Sequence, residues 1–161
     1  MQIKLLEEGN KQLKEISEPY DFEVDGDPTE LIKAMTKVMF ENNGIGLAAP
    51  QVGIKKRLFI MGNEEQLYAI INPTIILKEG EVVKDIEGCL SFPKLWLRVN
   101  RSDKIQVSYQ DISGQKITTD FTGIKARVFQ HEYDHLDGIC FDTRVGPVAL
   151  DFAKEKRRRK L

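Results

Sequence analysis

The pentapeptide His131-Glu132-Tyr133-Asp134-His135 holds both histidines of this 161-residue chain, four residues apart, with a glutamate beside the first. On a helix, residues four apart are neighbours on one face. Two imidazoles can then bind one cation, and the glutamate can reach a water attached to it. A lone buried histidine is ordinarily a hydrogen-bonded core residue, but here both fall in one pattern. A catalytic site of this kind wants a third protein ligand and leaves a fourth position to water. There is no third histidine, and the downstream acids Asp137, Asp142, Asp151 and Glu155 stand in no matching motif. Cys89, in Glu87-Gly88-Cys89-Leu90-Ser91, is the better candidate. A thiolate between two imidazoles suits a first-row divalent metal such as Fe(II), Zn(II), Co(II) or Ni(II). Cys140 sits among apolar neighbours after the histidine segment and reads as a small packing residue.

Gly44-Ile45-Gly46-Leu47-Ala48-Ala49 fits the G-x-G-x-x-A dinucleotide fingerprint, which requires a strand before it and a helix opening within it. A helical pattern precedes it and Pro50 interrupts the chain just after it, so nucleotide binding is not favoured. The glycines suit a backbone that a ligand or another strand approaches closely. Gln51 ends the segment with an amide that can donate hydrogen bonds.

The elements that must position these residues can be read from the pattern. Asp27-Pro28-Thr29-Glu30 starts a helix, with Asp27 as cap and Pro28 at the first helical position. Leu31, Ile32, Met35, Val38 and Met39 give it one apolar face, and Asn42-Asn43-Gly44 ends it. Short strands are expected at Arg57–Met61, Leu67–Ile71, Thr74–Leu77 and Glu81–Lys84, punctuated at Asn72-Pro73 and Glu79-Gly80. Lys104–Tyr109 alternates with Ile105, Val107 and Tyr109 on one side, and Lys116–Phe121 is its candidate partner across a turn. A second helix is expected between Thr122 and Gly138. Ile124, Val128, His131 and His135 share one face of it, which should point into the protein. A short third helix is expected from about Val148. Helix, strands, then helix argues for an α+β fold, with mostly antiparallel sheet packed around the helix that carries the two histidines.

Composition sets outer bounds. A hydrophobic fraction of 41% with 30% charged residues describes an ordinary globular chain, expected to form a single domain over 1–161. Two cysteines cannot build a multi-bridge secreted framework, so a reducing compartment is expected. No stretch approaches a membrane span, and the opening residues Met1–Glu8 lack the apolar run of a signal peptide. The formal charge of −1 conceals an asymmetry. The last eight residues carry six basic and one acidic side chain, a net of +5, which leaves −6 on the preceding 153.

Taken together and in order, Gly44–Gln51, Glu87–Ser91 and Gln130-His131-Glu132-Tyr133-Asp134-His135-Leu136 resemble the three signature motifs of the peptide deformylases. The likeness spans about Met35 to Phe141, including Ala126-Arg127-Val128 before the third motif. It implies an enzyme that hydrolyses the N-formyl group from the initiator methionine of nascent peptides and releases formate. Cys89, His131 and His135 would ligate the metal, usually Fe(II), with zinc, nickel or cobalt as substitutes. Glu132 would move protons as general base and acid. The Gln51 side-chain amide and the Leu90 backbone N–H would donate to the oxyanion, and Gly46 would admit the substrate closely. Ile45 and Gly88 would offer backbone hydrogen bonds to the peptide, and Ile45, Ile124 and Val128 would line the methionine pocket. Glu87 would act structurally, paired with Arg101. The segment Glu8–Leu13 departs from the family's usual Pro-Asp-Pro-type opening, and the chain is short after the third motif. Trp96 reads as a packing or partly exposed residue, near the peptide channel at most.

The basic run from about 148 to 161 forms a tail or short helix that could bind ribosomal RNA through phosphates, as the resemblance suggests, or stay solvated as a frayed end. No membrane or DNA partner is expected, and a cytoplasmic setting in a bacterium or phage, or an organelle, would suit the activity. Two rivals remain. An H-E-x-x-H metallopeptidase would take its third ligand from a downstream His or Glu, and a non-catalytic formyl-peptide binder would have no need of Glu132.

Overall fold

The computed structural model describes residues 1–160. Helix α1 (Thr29–Glu41) turns Leu31, Met35 and Met39 inward, while Ile32 and Val38 are only partly buried. It starts one residue later than the sequence suggests. Pro28 occupies the cap, and the Asp27 carboxylate still satisfies the first turn by accepting from the Thr29 amide at 2.9 Å and its hydroxyl at 2.6 Å. At the other end Asn43 takes the left-handed conformation that stops the helix.

Five antiparallel strands come next, in the order β1-β2-β3-β4-β5: β1 (Gly46–Ala48), β2 (Leu58–Gly62), β3 (Leu67–Cys89), β4 (Phe92–Gln110) and β5 (Lys116–Thr122). Three of the short strands expected from the sequence are one strand, β3. Its punctuation marks are bulges, with register shifts at Ile71/Thr74 and Glu79/Val82. Asn72 adopts a positive φ, and its side chain bonds Tyr20 O at 2.9 Å and Gln110 Oε1 at 2.8 Å, so the chain is tied down where Pro73 cannot donate. Gly80 sits at φ +70° where a Cβ would collide with the Asp103 carboxylate, which accepts the Glu81 amide at 2.8 Å. β4 likewise runs far beyond Lys104–Tyr109, back to Phe92.

The Gly44–Ala49 segment supplies only the three residues of β1 and a 3-10 turn at Ala49–Val52, not the strand and helix of a dinucleotide fold. Helix α2 (Gly123–Leu136) carries His131 through His135, and α3 (Pro147–Arg159) comes after a 3-10 turn at Phe141–Arg144. The basic tail is therefore helical through Arg159; Leu161 lies outside the described residues. Among the described residues no helix is long and apolar enough to cross a membrane. The architecture is α+β, antiparallel sheet plus three α-helices among the described residues.

Strand alternation splits the core. Phe59 and Met61 of β2 join Ile70, Ile105, Val107 and Phe121 against Ala126, Phe129 and Leu136 of α2. Leu58 and Ile60 face the other way, onto Met35 and Met39 of α1 with Leu47. A third cluster gathers Leu95, Leu97 and Val99 of β4 with Leu13, Cys140 and Phe141. The C-terminal end of α2 is pinned by Arg57, which donates to Leu136 O at 2.9 Å and pairs with Asp137 at 2.9 Å, a cation placed where the helix dipole is negative.

Phe129 is fully buried, edge-on to Phe59 at 5.0 Å and tilted against Phe121 at 5.7 Å. Phe129→Ala should cost about 3–5 kcal/mol in urea unfolding; a loss below about 1 kcal/mol would show that this contact does not anchor α2.

Candidate metal centre

Alternation at the end of β3 turns Glu87 inward and leaves Gly88 outward. Cys89 closes the strand, and Leu90–Ser91 make the tight turn into β4. Across from it α2 presents His131, Glu132 and His135, all buried. The candidate ligand atoms of Cys89, His131 and His135 lie within 4.8 Å of one another, and Cys89 Sγ is 3.4 Å from His135 Nε2. Cys140 is not part of the group, and burial pushes its thiol up to about 12, as befits a packing residue.

His131 Nδ1 lies 2.9 Å from Glu87 Oε1. A carboxylate accepts, so Nδ1 carries the proton, which leaves Nε2 as the ring atom that would face a cation. The carboxylate of Glu87 is held in turn by Arg101, whose Nε and Nη2 donate at 3.0 and 3.1 Å, and by Arg127 Nη1 at 2.7 Å. Burial works to raise the pKa of Glu87, yet the hydrogen bonds and charges of His131 and Arg101 win and lower it to about 2. The pairing of Glu87 with Arg101 expected from the sequence is thus present, within a larger network. Arg101 Nη1 also donates to Asp134 Oδ2 at 2.7 Å, and Arg144 grips the same carboxylate at 2.7 and 3.1 Å. Arg127 is locked further by Val99 O at 2.8 Å and Val83 O at 2.6 Å. The sequence reading missed Asp134, Arg127 and Arg144. Helical spacing held the signal, since Arg127 and Asp134 lie four and three residues from His131.

Glu132 is the opposite case. It is buried, its Oε1 has no hydrogen-bond partner, and burial pushes its pKa up to about 7 against the pull of His131. Gly46 lies against it, since a Cβ there would stand 2.5 Å from Glu132 Oε2 and 2.8 Å from Val128 Cγ1. Gln51 completes this wall. Its Oε1 accepts the Ala48 amide at 2.9 Å, which fixes the amide so that Nε2 faces Ser91 Oγ at 3.1 Å and Cys89 Sγ at 3.6 Å.

The structure therefore brings together Cys89, His131, His135, Glu132, Gln51, Gly46 and Val128, with Leu90 next to Cys89. Ile45 and Ile124 stand apart in exposure, at 52% and 62%. The face of α2 that was expected to point inward throughout does so at the histidines but not at Ile124, one turn out from Val128. Trp96 is 61% exposed, with its ring laid over Gly88. The donor set fits a divalent metal: one sulfur and two nitrogens, with one imidazole oriented from behind and the buried Glu132 Oε1 unpartnered beside them.

An α+β fold that carries such a cluster beside a buried glutamate has the donor set of a metal site. The polypeptide deformylase family model matches residues 3–149. A peptide deformylase of Treponema pallidum is 44% identical over 158 residues, covering 98% of this chain and 91% of the relative. Among solved structures, the peptide deformylase of Synechococcus elongatus in complex with actinonin superposes with a TM-score of 0.90 at 36% identity, covering 97% and 86% of the two chains. The peptide deformylase of Thermotoga maritima gives 0.85 at 37% identity, covering 91% and 99%. The chain belongs to the peptide deformylase family. That family uses a single metal to remove the formyl group from N-terminal formylmethionine, and this is the activity of the chain.

Among the described residues, Arg101 is the one cation that pairs with both buried carboxylates, Glu87 and Asp134. Arg101→Met should destabilise the protein by about 3–5 kcal/mol in urea unfolding, because it strands buried charge. Lys33→Ala, which breaks an exposed pair with Glu30, should change stability by less than about 1 kcal/mol. Equal effects would contradict the network's structural weight.

Proposed function

We propose that Cys89, His131 and His135 hold one divalent metal, Fe(II) in the cell with Zn, Ni or Co as substitutes. On this reading residues 1–161 act as a single catalytic domain, and His131 and His135 belong to an H-E-x-x-H motif on its central helix. When bound, such a cation supplies Lewis-acid chemistry that brings water ionisation near neutral pH. The observation that carries the reading is the third donor: a cysteine from β3, not a downstream His or Glu, meets the two histidines. This also sets the metallopeptidase alternative aside, and the buried Glu132 argues against a mere binder.

In the reaction, water adds to the formyl carbon, the C–N bond breaks, and formate and a free amine leave. Glu132, held near neutrality by burial, takes the proton from water at its carboxylate and returns one to the departing amine. Gln51 Nε2 and the Leu90 N–H donate to the formyl oxygen as it gains charge. Gly46 lets the substrate backbone come close to Glu132. Ile45 and Gly88 bond the peptide backbone, while Ile45, Ile124 and Val128 line an apolar pocket for the methionine thioether. The exposure of Ile45 and Ile124 fits a pocket wall that substrate covers. Nascent peptides as substrate place the enzyme in the cytoplasm or an organelle. The basic half of α3 offers ribosomal RNA the exposed cations Lys154, Lys156, Arg158 and Arg159, whereas Arg157 is paired with Glu8.

Protein purified without oxygen and loaded with Fe(II) or Ni(II) should release formate from a formyl-methionyl peptide, and folded, loaded protein that releases none would overturn the reading. Glu132→Ala should retain stoichiometric metal yet lose activity by about 10²–10⁴. Gln51→Ala should lose about 10²–10³. Truncation before Lys154 should weaken ribosome co-sedimentation, most visibly at low salt; unchanged binding would reject the docking role.

A further inference from the structure

The ion-pair network does not stop at the metal centre. From His131 Nδ1 it passes to Glu87 at 2.9 Å, to Arg101 at 3.0 and 3.1 Å, to Asp134 at 2.7 Å, and ends on Arg144 at 2.7 and 3.1 Å. The side chains of Glu87 and Arg101 are each only 5% exposed and that of Asp134 10%, whereas Arg144 is 43% exposed. Arg144 also lines a surface groove of about 370 Å³ with Leu77, Tyr133 and Ile139. The same 3-10 turn, Phe141–Arg144, touches the metal centre a second way, for the Phe141 ring lies 5.5 Å from the His131 ring.

One guanidinium connects the two carboxylates. Arg101 faces Glu87 with Nε and Nη2 and Asp134 with Nη1. Asp134 has only Arg101 and Arg144 as ion-pair partners among the described residues. Without Arg144 the Asp134 charge falls on Arg101 alone, which draws that guanidinium toward Asp134 and away from Glu87. Arg127 cannot follow Glu87, because carbonyls of Val83 and Val99 fix it. The strain then appears at the hydrogen bond that orients His131.

We propose that Arg144 is a positioning residue for the hydrolysis: by neutralising Asp134 it holds Arg101, and through it Glu87, where His131 is kept in ligating orientation. This rests on Cys89, His131 and His135 being the metal ligands. Arg144 contacts Asp134 and none of the three proposed ligands, so its effect passes through the carboxylates.

The test compares wild type, Arg144→Met and Arg144→Lys, each loaded with Co(II). The readouts are visible absorption, chelator competition, kcat, KM and thermal melting. Arg144→Met should show shifted Co(II) bands, about tenfold weaker metal retention and about tenfold lower kcat, with KM within about twofold. Arg144→Lys restores charge without the fork and should fall between. If Arg144→Met keeps the wild-type spectrum, metal retention and kcat while only its melting temperature falls, Arg144 is a structural anchor and the proposal is wrong. Should Arg144→Met not fold, Arg144→Gln, which is also uncharged but keeps a polar side chain, carries the comparison, and wild-type spectrum and kcat in it would overturn the proposal equally. A wild-type protein lacking a thiolate-to-cobalt band would fail at the ligand assignment itself, and the role of Arg144 would fall with it.

Discussion

A buried carboxylate is costly unless it is surrounded by donors, and the fold is organised around meeting that demand for Glu87. Two arginines and an imidazole converge on its two oxygens. They come from β4 and α2, so the β3–β4 ladder and the seating of α2 are both fixed at this point. The ladder places Glu87 opposite Leu97, and Arg101 four residues further on reaches back to it. The apolar clusters supply most of the burial, but their contacts are non-directional. The Glu87 network is what selects one rotation and one register for the elements that carry Cys89 and His131.

The same few ångströms hold a second glutamate in the opposite environment. Glu87 is saturated and stays ionised with a pKa of about 2, whereas Glu132 leaves Oε1 unpartnered and is raised to about 7. Two residues of one type are thereby separated into an ionised carboxylate that orients His131 and a carboxyl that burial holds near neutral pH, a division set by hydrogen bonding and burial. Gly46, without a Cβ, lets β1 lie directly against the Glu132 carboxylate, and the amide of Gln51 is clamped by Ala48 so that its donor side faces Cys89.

Much of this was legible from the chain. Residue types and helical spacing put His131 and His135 on one face with Glu132 beside the first, and made Cys89 the better candidate for a third donor; the structure brings these side chains together. The strand alternation of Ile105, Val107 and Tyr109 and the helices near α1 and α2 were also readable. The features that escaped did so for physical reasons. Asn72-Pro73 and Glu79-Gly80 carry turn chemistry, yet cross-strand pairing with β4 overrides it, and they become bulges in one long strand. The segment Leu95-Trp96-Leu97-Arg98-Val99-Asn100-Arg101 alternates cleanly, but its inward position is taken at the end by a charge, which masks a strand built to bury Arg101. Arg144 lies ten residues beyond Asp134, with no periodic relation to it, so only the folded chain brings them together.

The metal proposed for the meeting of β3 and α2 would take one sulfur and two nitrogens as ligands. X-ray absorption of the protein loaded with one equivalent of Zn(II) or Ni(II) reads that donor set directly. It should report one sulfur near 2.3 Å and two imidazole nitrogens near 2.0–2.1 Å, to about 0.2 Å, with the sulfur lost in Cys89→Ala. A shell of nitrogen and oxygen alone in the wild type, or a sulfur that survives Cys89→Ala, would contradict it.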